Sequence, residues 1–158
     1  MGEPILEPAR IPVQTREATF INQPLRAGGH TCFFTCVSMG NPHAVTYVEE
    51  VEKLKIEEIG PLFETHESFP ERANIEFIEL VDKNSFKMRV WERGSGETLA
   101  CGTGACAAFL RRPRRQELCG SRAEARLPGG TLGLEWREGR IFMTGPARTV
   151  FEGEIEMG

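Results

Sequence analysis

The stretch that decides the fold is Trp91-Glu-Arg-Gly-Ser-Gly-Glu-Thr-Leu-Ala-Cys-Gly-Thr-Gly-Ala-Cys106. It begins at the end of an alternating run, residues 86–91, which predicts a β-strand, and then passes through a glycine-rich turn. Residues 105–110 are small and apolar and predict a helix. We therefore expect Cys101 where a loop becomes a helix.

This position has a chemistry of its own. The first turn of a helix offers free N–H groups and the positive end of the helix dipole, which favour a thiolate or a ligand carboxylate. A cysteine there can have its pKa lowered from about 8.5 toward neutrality and then act as a base. Gly102 and Gly104 would let a ligand approach the backbone, and Thr103 could cap the helix. The alternative is a glycine-rich turn whose buried cysteine only packs, and these features alone do not separate the two.

Length and charge narrow the class of protein. A chain of 158 residues fits one domain, and 19 basic against 23 acidic residues give a net charge of −4. This balance predicts a soluble protein with no bulk attraction to nucleic acid or to an anionic membrane. No apolar run approaches the roughly 20 residues that span a bilayer, and the start lacks the regions of a secretory signal. We expect a cytoplasmic location.

The cysteines indicate free thiols. Their odd number argues against a disulfide framework, and their gaps of three and four residues, without a nearby histidine pair, argue against a zinc site. We therefore expect no metal. The five are Cys32, Cys36, Cys101, Cys106 and Cys119.

The order of elements predicts a β-rich α+β domain. Residues 1–31 are rich in proline and predict an irregular inter-domain segment, followed by a folded domain over 32–158. Near-helical spacing predicts a surface helix over 51–65, broken at Gly60-Pro61. Strands are predicted at 32–39, 44–48, 74–81, 86–91, 122–127, 131–136, 140–144 and 149–155.

Polar residues stand at the ends of these predicted strands. Asn41 and His43 lie between the first two, and a hairpin over 74–91 brings Asn74 beside Glu92 and Arg93. A guanidinium suits a planar carboxylate because it can donate two parallel hydrogen bonds. The alternatives are a structural histidine, a turn or cap asparagine and an exposed Glu-Arg ion pair.

A basic run follows the predicted central helix. Pro113 should break the helix, and the four surrounding arginines, within residues 111–115, should form an exposed face. Because the chain is acidic overall and the run has no interleaved aromatic residues, a nucleic-acid role is not favoured.

Several motifs together resemble one enzyme family. The catalytic segment of diaminopimelate epimerases is resembled by residues 92–94, 97–98 and 100–107. Other segments resemble other parts of the same family, in the family's order: 39–45, 69–75, and 127–130 followed by 143–147. Proline racemases and phenazine-type isomerases would share the fold, but the Glu-Arg-Gly and Gly-Asn-Pro-His segments favour the epimerases. The resemblance implies an α+β fold in which a curved, mixed, β-rich sheet wraps around a buried central helix. The basic run departs from the family, in which this helix usually continues.

The resemblance also implies a reaction and a set of roles. It implies interconversion of L,L- and meso-diaminopimelate by two cysteines, without pyridoxal phosphate or another cofactor, in lysine and cell-wall-precursor biosynthesis. Cys101 would be one acid/base, Glu92 and His43 would tune or orient the thiols, and the N–H groups of residues 102–104 would stabilise the α-carboxylate. The groups that would hold the distal amino-acid end are Asn41, Asn74 and Arg93.

The family's first catalytic cysteine has no counterpart in this sequence, because no Cys-Gly-Asn-Gly-like segment is present. The sequence therefore resembles the second half of the family pattern and predicts a half-site. Three interpretations follow: a part of an epimerase that needs the missing N-terminal domain, an active homodimer with Cys101 from each chain, or a non-catalytic domain that binds an amino-acid ligand or a partner domain.

Overall fold

The computed structural model describes residues 1–110 and 121–156. The helices are α1 (Ile56–Glu64) and α2 (Gly102–Leu110), with short 3-10 turns at Pro8–Arg10 and Val51–Lys53. The strands are β1 (Gln23–Ala27), β2 (His30–Ser38), β3 (Pro42–Tyr47), β4 (Asn74–Asp82), β5 (Ser85–Glu92), β6 (Gly96–Thr98), β7 (Arg122–Leu127), β8 (Gly130–Arg137) and β9 (Arg140–Thr144).

These strands form one mixed sheet in the order β1-β2-β3-β4-β5-β7-β8-β9. The pairs β3–β4 and β5–β7 are parallel, and the other neighbours are antiparallel. β6 pairs with the end of β5, at residues 90–92, whereas β7 pairs with its start, at residues 85–87. The glycine-rich turn therefore folds back along β5 before the chain enters α2.

Helix α2 forms the centre of the larger core. Its residues 104–109 are all buried, and it packs against β3, β4, β7, β8 and β9. Because β3 and β9 are far apart in the strand order, the sheet must curve to reach the helix from both sides. This confirms the expected α+β fold, a curved mixed sheet around a buried central helix.

The other face of the sheet packs against α1 and the start of the chain. Alternation along β4 divides the two cores: Ile75 and Phe77 belong to this second core, whereas Ile78 belongs to the core around α2. Glu76, between Ile75 and Phe77, therefore faces α2.

Residues 1–31 require a correction, because they are more ordered than the predicted irregular segment. Ile11, Val13 and Phe20 are buried in the second core, and β1 pairs antiparallel with β2. Pro24 lies within β1, which is at the edge of the sheet, where a strand tolerates a missing N–H donor.

The helix predicted over 51–65 also differs. The helix begins only at Ile56 and runs through Gly60-Pro61 without a break. Glycine at position 60 has a packing reason, because a Cβ there would lie 2.6 Å from Cγ of Trp91. The helix therefore lies close against β5, which the sequence pattern did not show.

The strand predicted at 149–155 is wrong. Residues 145–156 have no regular structure, and the side chains of Val150, Phe151 and Ile155 are exposed. A strand needs a neighbour to satisfy its backbone groups, and within the described ranges this segment has none. The other predicted strands correspond to β2–β5 and β7–β9, and β1 and β6 were missed. The predicted break at Pro113 and the arginine face lie outside the described residues.

Candidate functional site

Cys101 lies at the N-cap of α2, where the sequence predicts it. Its carbonyl oxygen accepts a hydrogen bond from the N–H of Ala105 at 2.9 Å, and its Sγ accepts one from the N–H of Gly104 at 3.3 Å. Thr103 was expected to cap the helix, but its hydroxyl lies 3.5 Å from Sγ and the thiol occupies the cap position. The sulfur is thus held at the positive end of the helix.

The two glycines of the first turn make room for the protein's own side chains. A Cβ on Gly104 would lie 2.7 Å from Oε1 of Glu76 and 3.2 Å from Sγ of Cys101. A Cβ on Gly102 would lie 3.0 Å from Cε of Met143. At Gly104 the space that a side chain would need is taken by Glu76 and the thiol, and the approach of a ligand to the backbone there stays a prediction.

Burial raises the pKa of the Cys101 thiol above its ordinary value of 9.0. The hydrogen bonds to Thr103 and Gly104 lower this pKa, whereas the charges of Glu76 and Glu92 raise it further. The helix start could have lowered this pKa, but in the described structure loss of water outweighs the donors at the helix start. Cys101 is therefore a protonated thiol at neutral pH and is suited to donate a proton.

His43 is fully buried and lies within β3, not between two strands as predicted. Its Nδ1 lies 2.6 Å from Oε1 of Glu76, and its Nε2 lies 2.9 Å from Oδ1 of Asn41. Asn41 is partly exposed, so the histidine links a buried carboxyl group to the surface of the site.

Glu76 was missed by the sequence analysis, which counted it among the polar neighbours of a strand. It is 0% exposed and faces α2 from the middle of the sheet. Burial raises the pKa of its carboxyl group, against the lowering effect of His43. A signal was available, because a glutamate between Ile75 and Phe77 in an otherwise buried strand needs a specific partner.

Asn74 joins three parts of the site edge. Its Nδ2 donates to the carbonyl of Pro42 at 2.9 Å, and its Oδ1 accepts from the N–H of Arg93 at 2.9 Å. The Arg93 side chain is exposed, and its Nη1 donates to the carbonyl of Glu71 at 3.0 Å. The structure thus brings Asn74 and Arg93 together as predicted, with the amide of Asn74 engaged by the backbone.

The turn that carries Glu92 and Arg93 is fixed from two sides. Thr98 donates from its hydroxyl to Oε1 of Glu92, across the β5–β6 pair. On the other side, Oε2 of the buried Glu64 accepts from Nε1 of Trp91 at 2.7 Å, and its Oε1 accepts from the N–H of Gly94 at 2.9 Å. Glu64 was also missed, because in sequence it is one acid in a helix rich in acids.

The predicted residues therefore converge at one end of the helix-facing side of the sheet. His43 stands opposite Asn74 in the β3–β4 register, and Glu76 and Glu92 both act electrostatically on Cys101. In residues 1–110 and 121–156 there is no group of three or more histidine, cysteine or acidic side chains that could hold a metal ion. Over the same ranges, no helix is long and apolar enough to cross a membrane.

A family model matches most of the sequence. The model for diaminopimelate epimerase covers residues 35–150. The chain belongs to the diaminopimelate epimerase family. The matched range includes each residue that the sequence analysis assigned to the epimerase site, which are Asn41, His43, Asn74, Glu92, Arg93, Cys101, Gly102, Thr103 and Gly104.

Curated relatives with the same family name are similar in sequence over 99% of the chain. Diaminopimelate epimerases from Methanococcus maripaludis strain S2 and Acetivibrio thermocellus are 55% and 50% identical, each over 99% of this chain. The chain spans 57% and 56% of these two relatives, so it corresponds to little more than half of their length. A solved PhzF-family phenazine biosynthesis protein from Enterococcus faecalis has a TM-score of 0.48 and 16% identity, over 62% of this chain and 35% of that one.

Proposed function

We propose that this chain supplies one face of a cofactor-independent diaminopimelate epimerase site, with Cys101 as one of its two acid/base thiols. The observation that carries this proposal is the thiol at the N-cap of α2, next to the carboxyl group of Glu76 that contacts His43. Family membership supplies the substrate, L,L- or meso-diaminopimelate.

Epimerisation removes the α-proton from one face of the substrate and returns a proton to the other. A thiolate on the opposite face would take the proton as the Cα–H bond breaks, and the S–H of Cys101 would protonate the same carbon from this side. Because burial raises the pKa of Cys101, its resting form already carries the proton to be donated. In the reverse direction the two thiols exchange roles.

The start of α2 provides the electrostatic support. The carbanion formed at Cα spreads negative charge into the α-carboxylate. The N–H groups of Gly102 and Thr103 belong to the first helical turn, where backbone donors have no partner within the helix. Donors fixed at this point can stabilise the developing charge without reorganising.

The strand ends would select the substrate. We assign Arg93, Asn74 and Asn41 to the distal amino-acid end of diaminopimelate, with His43 and Glu92 orienting the thiols. The fixed turn supports this, because Asn74 holds the backbone of Arg93 and leaves its guanidinium exposed. A planar guanidinium can hold a carboxylate with two parallel hydrogen bonds.

The second thiol, on the opposite face of the substrate, would come from another domain or another copy of the chain. We favour the N-terminal epimerase domain that the family resemblance implies as its source, since the relatives are longer than this chain. The alternatives are a second copy of this chain, with Cys101 facing Cys101, or a non-catalytic domain that binds a ligand or partner. We further propose a cytoplasmic enzyme of lysine and cell-wall-precursor biosynthesis, with neither nucleic acid nor membrane as partner.

A chimera tests the proposal. In the Methanococcus maripaludis epimerase, the region matched by this chain is replaced by residues 1–158, and loss of the α-proton signal of L,L-diaminopimelate is followed by proton NMR in D2O. We expect exchange with inversion to the meso form in the chimera, and loss of that inversion in the Cys101→Ala chimera. A folded chimera without exchange, beside an active parent enzyme, contradicts the proposal. A second chimera that keeps the parent's own residues at positions 111–120 controls for the basic run.

The isolated chain separates the alternatives. We expect it to convert no L,L-diaminopimelate to the meso form at any concentration, because one thiol cannot serve both faces. Conversion that rises steeply with protein concentration and disappears in Cys101→Ala would replace this proposal by the homodimer. Binding of the amino acid, with the Cys101→Ala chimera as active as the unsubstituted chimera, would favour the non-catalytic domain.

A further inference from the structure

Glu76 has a buried carboxyl group in which only one oxygen has a hydrogen-bond partner among the described residues. Its Oε1 contacts His43, but its Oε2 has no hydrogen-bond partner among the described residues. An ionised carboxylate with a bare oxygen in an apolar interior is costly, whereas a carboxyl group that shares a proton is much less so. Burial therefore favours a proton on Glu76 or on the nitrogen of His43 that contacts it.

The two hydrogen bonds of His43 show how many protons the His43–Glu76 pair carries. The Oδ1 of Asn41 can only accept, so Nε2 of His43 carries a hydrogen in the contact between them. The contact of Nδ1 with Oε1 of Glu76 then needs one more proton. That proton sits either on Nδ1, giving imidazolium and carboxylate, or on Oε1, giving neutral imidazole and carboxylic acid. In both forms the pair is neutral overall.

Cys101 lies close to the carboxyl end of this pair. The space that a Cβ on Gly104 would occupy is bordered by Oε1 of Glu76 and by Sγ of Cys101. A thiolate there would be repelled by an ionised Glu76 but not by the carboxylic acid. The charge of the thiol and the position of the shared proton are therefore linked.

We propose that Glu76 is a positioning residue for Cys101, and that the proton it shares with His43 moves from Nδ1 to Oε1 when Cys101 becomes a thiolate. The Nδ1–H bond breaks, the Oε1–H bond forms, and the pair neither gains nor loses a proton. Cys101 can thus hold either charge state without placing a second negative charge beside it. This refines the proposed function, in which Cys101 alternates between acid and base, but it depends only on the chain described here.

Other ionisable groups also face these residues. On β5, Glu92 acts electrostatically on both Glu76 and Cys101. On β2, Cys36 feels the charge of Glu76, and within α2 Cys106 feels that of Cys101. Burial raises the pKa of both thiols, as it does that of Cys101, so all three can ionise at alkaline pH. A test must therefore separate Cys101 from Cys36 and Cys106.

Nitrogen NMR of the isolated chain makes this test without substrate. The chain is labelled with 15N-histidine, and the His43 signals are assigned by removing those of His30 and His66 with His→Gln variants. As pH rises through the ionisation of Cys101, we expect Nδ1 of His43 to move toward the shift of an unprotonated acceptor, while Nε2 stays protonated. In Cys101→Ser, which keeps the size but not the titration, the Nδ1 shift should stay constant. A His43 spectrum that does not change with Cys101, or that changes equally in Cys101→Ser, overturns the proposal.

A second measurement uses the reactivity of the thiol. Because the amide of Glu76→Gln has no charge to neutralise, we expect iodoacetamide to alkylate Cys101 roughly three- to tenfold faster at pH 8, the effect of up to about one pKa unit. Glu79→Gln, on the same strand but half-buried and bonded to the N–H of Val51, should leave the rate unchanged. An unchanged rate in a folded Glu76→Gln chain contradicts the proposal. Neither measurement needs turnover, so a failed chimera and a failed proton shift are separate outcomes.

Discussion

Glu76 and Gly104 depend on one another: a Cβ on Gly104 would lie 2.7 Å from Oε1 of Glu76. The carboxyl group cannot retreat easily, because it is fully buried and its Oε1 is held by His43 at 2.6 Å. One packed unit is therefore formed by the N-cap of α2, the Glu76–His43 pair and the Cys101 thiol. A substitution at any of them should shift the positions of the others.

Gly104→Ala should destabilise the chain. Alanine favours a helix by roughly 1 kcal/mol over glycine, but forcing a methyl group against a fixed buried carboxyl group costs about 1–3 kcal/mol. We expect a net loss of stability, measured as a lower urea midpoint. Gly102→Ala is the matched control, since its new methyl group meets only the flexible end of Met143, at 3.0 Å. Equal effects of the two substitutions would contradict the role of Glu76 in this packing.

Glu64→Ala should loosen the turn that carries Glu92 and Arg93. It removes the acceptor for Nε1 of Trp91 and the N–H of Gly94, and each donor left unsatisfied costs about 1–3 kcal/mol. We expect a lower free energy of unfolding and a changed tryptophan emission spectrum. Arg72→Ala, which removes only a contact with Glu64 at 3.4 Å from a largely exposed side chain, should cost less than about 1 kcal/mol. A larger effect from Arg72→Ala would show that the ion pair, not the turn, needs Glu64.

Asn74→Ala should disturb Arg93 through the backbone. The substitution leaves the carbonyl of Pro42 and the N–H of Arg93 without their side-chain partner, at a cost of roughly 1–3 kcal/mol for each buried group. The amide signal of Arg93 in a 15N spectrum should shift or broaden, whereas that of Lys83, at the far end of the hairpin, should not. In the chimera, we expect the variant to raise KM more than it lowers kcat. A normal Arg93 signal would show that the hydrogen bond is not formed in solution.

Stability should fall at alkaline pH because of the thiols. Burial raises the pKa of Cys36 and of Cys101, and it raises the pKa of Cys106 to about 11. Above the ordinary value of 9.0, the unfolded chain releases these protons while the folded chain keeps them, so the unfolded state binds fewer protons and stability decreases as pH rises. Each thiol contributes at most about 1.4 kcal/mol per pH unit, and only between its unfolded and folded pKa values.

Urea unfolding between pH 8 and pH 11 checks this dependence. Cys106→Ala lowers the stability at every pH, but it should also make the decline between pH 9 and 11 shallower by about one thiol's share. Comparison with the unsubstituted chain removes the contribution of the lysines, which titrate equally in both. A decline of unchanged steepness in Cys106→Ala would place the titrating groups elsewhere.

Local patterns predicted much of the site. Alternation, apolar β-branched runs and turn signals located seven of the strands, and the change from a glycine-rich turn to small apolar residues placed Cys101 at the start of α2. The hairpin β4–β5 brought Asn74 next to Arg93, because the register of a hairpin follows from its short turn. The prediction of a helix over 51–65 with a break at Gly60-Pro61 was wrong, because the helix begins at Ile56 and packs without a break against Trp91.

The sequence by itself determined the family, seven of the nine strands and the position of the thiol, because each motif and each strand pattern depends on residues that are near one another in the chain. Only the tertiary structure decided the charge on that thiol and the partner of His43. Glu76 is 33 positions from His43, and both effects depend on which groups the curved sheet removes from water around α2. Desolvation is a property of the assembled core, so the pKa of Cys101 rises where the helix start alone predicts that it falls.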